Sequence, residues 1–189
     1  MIGPDASVSP AFPGLPVMLQ CAGRRCVVVG VGAVGRRQIR ALVEAGAEVV
    51  AIDPTPPIDG SADLGPGVVV LDRPYRPEDL ADSFLVVAAT DDSAVNRAVT
   101  AEAERAGALT LRADDGTLGS LRFPAVHRSG RVTVAVDSGG AGPGVAAHVR
   151  NEVAAVDPGW GDLADWAADR RPVAADELAA EAARRRSAS

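Results

Sequence analysis

The stretch CVVVGVGAVGRRQIRALVEAGAEVVAID, Cys26 to Asp53, sets an apolar run, a glycine turn, a helical pattern and a second apolar run ending in an acid in one fixed order. A nucleotide-binding βαβ unit requires that order. Val27 to Val29 are β-branched and run straight into glycine, which predicts a buried parallel strand; Val34, Ile39, Leu42 and Val43 then recur at helical spacing. Gly30 permits the tight turn, Gly32 lets the backbone approach a pyrophosphate with no Cβ in the way, and Gly35 lets helix and strand pack closely. The pyrophosphate would cap the helix at Gly32, Ala33, Val34 and Gly35, where free N–H groups and the helix dipole favour negative charge. Asp53 ends the second strand about 20 residues on, placed to accept hydrogen bonds from both ribose hydroxyls and to repel a 2′-phosphate. The cofactor implied is NAD rather than NADP.

At 189 residues the chain has room for one nucleotide-binding domain and a small appendage, and none for a second large catalytic domain. Aromatics are only 3%, so the core must be built from Val, Ala and Leu, which suits a parallel sheet covered by alanine-rich helices. All 19 basic residues are arginine, which excludes lysine Schiff-base chemistry. A net charge of −6 without a basic stripe argues against a nucleic-acid partner. Cys21 and Cys26, with only two histidines in the chain, support neither a disulfide framework nor a zinc site and read as reduced, packed thiols of a cytoplasmic protein. No apolar run approaches the length of a membrane span, and the first residues lack the basic and apolar regions of a signal peptide.

Residues 1–14 carry Pro4, Pro10 and Pro13 among small residues and are expected to be a poorly ordered tail. Strands are expected at Val68 to Arg73, Phe84 to Thr90 and Ala108 to Asp114, a short helix at RPEDLAD, and a longer helix that Asp91, Asp92 or Ser93 caps and Gly107 stops. Val95 and Val99 would face its inner side. Alternating β and α of this kind is the doubly wound α/β pattern, a parallel sheet with helices on both faces, over residues 15–114. The rhythm then changes. Leu121 to Arg128 and Val132 to Asp137, joined by Ser129-Gly130, read as an antiparallel hairpin with too little core to stand alone. It is expected to pack on a second copy of the chain or on the last helices, so residues 115–150 read as a dimerisation segment and 151–189 as a helical module. One helix would start near Pro143 and two more would follow, with Trp160 and Trp166 as anchors.

The order GVGAVGRRQIRALVEAGAEV, FLVVAATDDSAVNRAVTAEAERAG and RFPAVHRSGRVTVAVDSGGAGP resembles the precorrin-2 dehydrogenase and sirohydrochlorin ferrochelatase family, also called the siroheme synthase N-terminal type. The resemblance runs from about Leu15 to Arg150. It implies a Rossmann domain, NAD-dependent oxidation of precorrin-2 to sirohydrochlorin and, in some members, insertion of ferrous iron. It also implies a homodimer whose contact follows the Rossmann domain. Counted from Pro124, the family's catalytic aspartate falls on Asp114, with Asp115 the competing assignment; a substrate-side serine falls on Ser138, beside Gly139 and Gly140. Thr90 and Asp91 would approach the ribose or nicotinamide from the end of their strand, and a helix cap is the alternative reading of the same residues.

Independently of the resemblance, taking a hydride from a reduced tetrapyrrole leaves a cation that must lose a proton, and a carboxylate at the carboxyl edge of the sheet can accept it. Arg37, Arg40, Arg122, Arg128 and Arg150 are candidates for gripping the substrate's carboxylates, and Arg122 is the one assigned to the substrate. His127 and His148 would be the only histidines open to a chelatase, though packed or solvated roles are expected for both. The chain departs from the family pattern at Val31, where a glycine is usual, at Leu111, Arg112 and Ala113, where asparagine and valines are usual, and at Gly142-Pro143, where Ser-Pro is usual. The methyltransferase domain of the trifunctional members is not expected in it. Two other functions fit parts of the pattern. A nucleotide-sensing regulatory domain would share the glycine turn and the Ile52-Asp53 ending but leave the SGG hairpin unexplained, and a family member that had lost catalysis would bind a tetrapyrrole as carrier or sensor.

Overall fold

A computed structural model describes residues 14–55, 64–116, 118–170 and 172–188. The expected N-terminal tail and much of the loop after Asp53 lie outside them, apart from Gly14 and the loop's two ends. Apolar runs rich in valine and leucine build five parallel strands, β1 (Arg25–Val29), β2 (Glu48–Asp53), β3 (Val69–Asp72), β4 (Leu85–Ala88) and β5 (Leu109–Arg112), in the order β3-β2-β1-β4-β5. Helices α1 (Ala33–Glu44) and α2 (Ser93–Arg105) make the crossovers that parallel pairing requires. The doubly wound α/β reading holds. Strand order reverses between β1 and β4, and the carboxyl ends of these two strands are where an open α/β sheet binds its ligand.

Val27, Val29, Val50, Ile52, Val86 and Ala88 share one core cluster with Val99 and Ala103 of α2 and with Leu80 of a short 3₁₀ turn, Pro77–Leu80. Val28, between two members of that cluster, points to the opposite face, where α1 packs on β1 and β2. The buried face of α1 is Gly35, Gln38, Ile39 and Leu42. Val34, expected on the inner side, is 37% exposed, because the helix turns Gly35 toward the strand and Val34 one step off that face. On α2 the inner face is Asn96, Val99, Thr100 and Ala103, with Val95 partly buried at its rim. Cys21 and Cys26 are buried free thiols, and burial, with Cys21 alongside, pushes the Cys26 thiol up to about 12.

Two compact units share the chain. The first, Gly14–Arg122, runs on past Asp114 because the residues after β5 fold back on it: Leu111 bridges to Gly119, and the Thr110 N–H donates to the Ser120 hydroxyl at 2.7 Å. The second, residues 123–188, opens with the hairpin β6 (Ala125–Ser129) and β7 (Val132–Val136), antiparallel as expected. Helix α3 (Pro143–Ala155) passes through residue 150, so the segment boundary expected there cuts a continuous helix. Helices α4 (Trp160–Ala168) and α5 (Ala175–Ala188) follow.

The hairpin packs on α3 and α4, which is the later-helix alternative of the sequence reading. His127 Nε2 lies 2.9 Å from Asp157 Oδ2, and Asp157 Oδ1 accepts from the N–H groups of Gly159 and Trp160 at 2.9 and 2.8 Å. The Ser129 hydroxyl, these N–H groups and His127 hold the Asp157 carboxyl well below its usual range. Both tryptophans are half-buried, Trp160 edge-on to His127 and Trp166 under the Arg170 guanidinium. The buried residue of α4 is instead Gly161, whose absent Cβ would stand 2.8 Å from the backbone of Ser129 and Gly130. Gly161→Ala is therefore expected to push α4 off the hairpin at a cost of about 1–3 kcal/mol. Tryptophan fluorescence would shift to the red at temperatures where the native chain stays folded; an unchanged melting curve and spectrum would contradict this packing.

Candidate active site

Four strand ends converge at the carboxyl edge of the first unit, and the residues they carry differ in what already satisfies them. Gly30, after β1, has φ of 98°, and a Cβ there would meet the Ala89 carbonyl oxygen at 2.4 Å. The turn after β1 thus sits directly against the turn after β4. A Cβ on Gly35 would fall 1.9 Å from the Gly30 carbonyl oxygen, so close packing of helix on turn requires glycine at both positions. Gly32 is different: its backbone is extended and nothing lies within 4 Å of where its Cβ would be.

The first turn of α1 has no side-chain cap, whereas at α2 the Asp92 carboxylate accepts from the N–H groups of Ala94 and Val95 at 2.7 and 3.3 Å. Of the three residues weighed as the α2 cap, Asp92 is the one used. No side chain caps the N–H groups of Ala33, Val34 and Gly35 at the positive end of the helix dipole, and the space beside Gly32, just before them, is open to an anion. Asp53 closes the same turn: its Oδ2 accepts from Val31 N at 2.6 Å and its Oδ1 from Thr55 N at 2.8 Å and the Thr55 hydroxyl at 3.4 Å, which aims the carboxylate and leaves the second acceptor site on Oδ2. An NAD fits this donor and acceptor set, with pyrophosphate at the α1 N-terminus and ribose hydroxyls at Asp53.

At the end of β4, Thr90 is clasped by Asn96, a residue absent from the sequence reading's candidates. Asn96 Oδ1 accepts from Thr90 N and Oγ1 at 3.0 and 2.8 Å, and its Nδ2 donates to the Thr90 carbonyl at 3.0 Å. This fully buried amide fixes the turn that abuts Gly30. Asp91 is exposed beside it. The sequence carries this asparagine just after ATDD but gives no sign of what its amide holds.

Asp114 lies just beyond β5, at the same edge. Its carboxylate is gripped by Arg112, Nε to Oδ1 at 3.1 Å and Nη2 to Oδ2 at 2.6 Å, while the Ser93 and Asn96 side chains also face it. The Arg112 fork holds the Asp114 carboxyl at about 2, against the opposing effect of burial. Asp114 is therefore an anion at any ordinary pH, with 23% of its side chain still open to a substrate.

The structure thus brings Gly30, Gly32, Ala33, Val34, Gly35, Asp53, Thr90, Asp91 and Asp114 to one sheet edge. Arg122 closes the same unit with its guanidinium beside Gly14. Ser138, Gly139 and Gly140 belong to the second unit, where the Ser138 hydroxyl donates to the Gly142 carbonyl at 3.0 Å and shapes the turn into α3. His127 is engaged with Asp157, and His148 is exposed on α3.

A family model described as "Putative NAD(P)-binding" matches residues 17–125, more than half of the chain. The chain belongs to this NAD(P)-binding family. Within it, the siroheme synthase type that the motifs resemble is supported by relatives in two bacteria. A siroheme synthase of Nitrosomonas europaea is 36% identical over 157 residues, which is 82% of this chain and 33% of that protein. One of Chromobacterium violaceum is 39% identical over 152 residues, 79% of this chain and 32% of that protein. The chain spans about a third of the length of these curated relatives. Among solved structures, SirC, precorrin-2 dehydrogenase, superposes with a TM-score of 0.70 at 23% identity, covering 90% of this chain and 88% of that one, which shows a shared fold. Among the described residues no helix is long and apolar enough to cross a membrane.

Proposed function

We propose that the chain oxidises precorrin-2 to sirohydrochlorin with NAD, as a cytoplasmic step of siroheme biosynthesis. The observation that carries this reading is the pairing, on one sheet edge, of an uncapped α1 N-terminus flanked by Asp53 with an anionic, substrate-accessible Asp114. Bound NAD would supply the hydride acceptor. The backbone N–H groups of Ala33, Val34 and Gly35 bind its pyrophosphate, and Asp53 binds the adenosine ribose and disfavours a 2′-phosphate.

Asp114 acts on the other half of the reaction. Loss of hydride leaves the tetrapyrrole cationic, and Asp114 takes the proton that this cation must shed, then passes it to water. A weak base suffices, because the group being deprotonated already carries positive charge. The net change is precorrin-2 and NAD⁺ to sirohydrochlorin, NADH and one proton. Thr90, fixed by Asn96, borders the nicotinamide side, while Ser138 with Gly139 and Gly140, and Arg122, are assigned to the substrate. Insertion of ferrous iron is left out of the reading, since Arg112 places a positive charge on the carboxylate that would receive the pyrrole protons. Purified chain, precorrin-2 and NAD in the absence of oxygen provide the test, by simultaneous appearance of sirohydrochlorin and NADH.

A homodimer belongs to the same reading. Val145, Val149 and Val156 of the α3 segment are 49%, 41% and 70% exposed and recur on one side of the helix, an apolar stripe that a second copy of the chain would cover. Val149→Glu is expected to convert a dimer to a monomer in sedimentation without unfolding the first unit; an unchanged sedimentation coefficient would place the contact elsewhere.

A further inference from the structure

Arg112 departs from the family pattern, and the structure gives it a specific partner. It ends β5, and Asp114, two residues on, stands on the same side of the chain, so the guanidinium fork meets the carboxylate edge-on with both oxygens engaged. The two side chains differ in exposure: 8% of Arg112 against 23% of Asp114. Arg112 therefore backs the carboxylate from inside the protein, while Asp114 presents the open face. An arginine so placed is poorly disposed to bind a substrate carboxylate, since its fork is already occupied and little of it reaches solvent.

We propose that Arg112 is a positioning residue of this site, which holds the Asp114 carboxylate in one orientation as the anion and so sets the acid limit of the reaction. The kinetic half of this inference rests on the dehydrogenase reading above; the ionisation half does not. Among the described residues, Arg112 is the charged group that acts most on Asp114. Arg112 is on its own strand, Asp115 follows in the turn and acts on Arg112, α2 faces it with the uncharged Ser93 and Asn96, and β4, packed beside β5, carries no titratable side chain. Burial alone works in the opposite direction and disfavours the anion. With Arg112 gone, Asp114 would keep the Ser93 and Asn96 hydrogen bonds, which favour the anion, against burial, which disfavours it, and would titrate above the native carboxyl. A guanidinium also fixes rotation about the carboxylate in a way that a single ammonium does not, so lysine should restore charge and only part of the orientation.

The test follows the Asp114 carboxyl carbon by NMR titration of the full chain without ligand, assigned with Asp114→Asn, beside the pH profile of precorrin-2 oxidation. The native chain should show no Asp114 titration down to about pH 3.5, Arg112→Gln a midpoint clearly above the native one, and Arg112→Lys a midpoint between them. The acid limb of kcat/KM should move in the same order, so that Arg112→Gln loses activity on acidification at a higher pH than the native chain. A native midpoint in the ordinary carboxylate range overturns the proposal, whether or not the variant folds, and so does an Arg112→Gln midpoint as low as the native one. A titration that shifts while the acid limb stays put overturns the kinetic half. Absence of any precorrin-2 oxidation by the native chain refutes the functional reading instead, and the titration alone then decides what Arg112 does.

Discussion

Gly32→Ala is expected to melt with the native chain and yet bind NAD at least about tenfold more weakly, a loss of about 1.4 kcal/mol or more. The two halves of this result come from different observations. Gly32 has φ of −66° and ψ of −173°, a conformation alanine adopts freely, and no atom lies within 4 Å of the added methyl group, so the chain itself loses nothing. The methyl instead occupies the open space before the uncapped N-terminus of α1, where a pyrophosphate must come close to the backbone. Gly35→Ala is the contrasting control. Its Cβ would overlap the Gly30 carbonyl oxygen, and stability should fall along with binding. Thermal melting and calorimetric NAD titration of the two variants separate these effects. A Gly32→Ala chain that binds NAD as tightly as the native one would put the pyrophosphate somewhere other than the α1 terminus.

Asp114→Asn is expected to keep NAD affinity and to lose about 10²- to 10⁴-fold in turnover of precorrin-2, the usual span for removal of a positioned proton acceptor. Asparagine has the size of aspartate but turns an N–H donor toward one arm of the Arg112 fork, so one of the two hydrogen bonds becomes a donor facing a donor. A stability cost follows, with a pH signature whose sign is set by the depressed native pKa. The native carboxyl titrates at about 2, below its unfolded value, so the ion pair's contribution is complete above about pH 4 and is lost as pH falls toward 2. Solvent around the exposed Asp114 weakens that contribution, and Asp114→Asn should lack its acid dependence. Urea unfolding at pH 7 and at pH 4 and below measures it; parallel pH dependence in the two proteins would contradict the ion pair.

The glycine turn, the first two strands and Asp53 were legible in the sequence because each leaves a local pattern: an unbroken apolar run in a buried parallel strand, period three to four in a helix, and glycine where a backbone must pass close to another. Side-chain pairing across a turn has no such period. Nothing in the letters of Leu111, Arg112 and Ala113 shows that Arg112 folds back onto Asp114, because the contact depends on where β5 stops and which way the chain then bends. Asn96 was similarly hidden, as a polar residue on the buried face of α2 reads as an interruption until its amide is seen holding the Thr90 turn. Val34 was misplaced for a related reason: hydrophobicity marks candidates for the core, but in α1 a glycine and a glutamine take buried positions while the valine faces outward. In the second unit the hairpin was visible from its turn residues, whereas the contact between Gly130 and Gly161 joins two backbones far apart in sequence and leaves no pattern in either segment.

The measurement that bears most directly on the function is the anaerobic reaction of purified chain with precorrin-2 and NAD, followed at once by the absorbance of sirohydrochlorin and of NADH. The account predicts equimolar formation of the two products by the native chain, much slower formation by Asp114→Asn at saturating NAD, and a marked preference for NAD over NADP through Asp53. Native chain that binds NAD but forms neither product above the uncatalysed rate would contradict it, and would leave the sheet edge as a nucleotide-binding site without this chemistry.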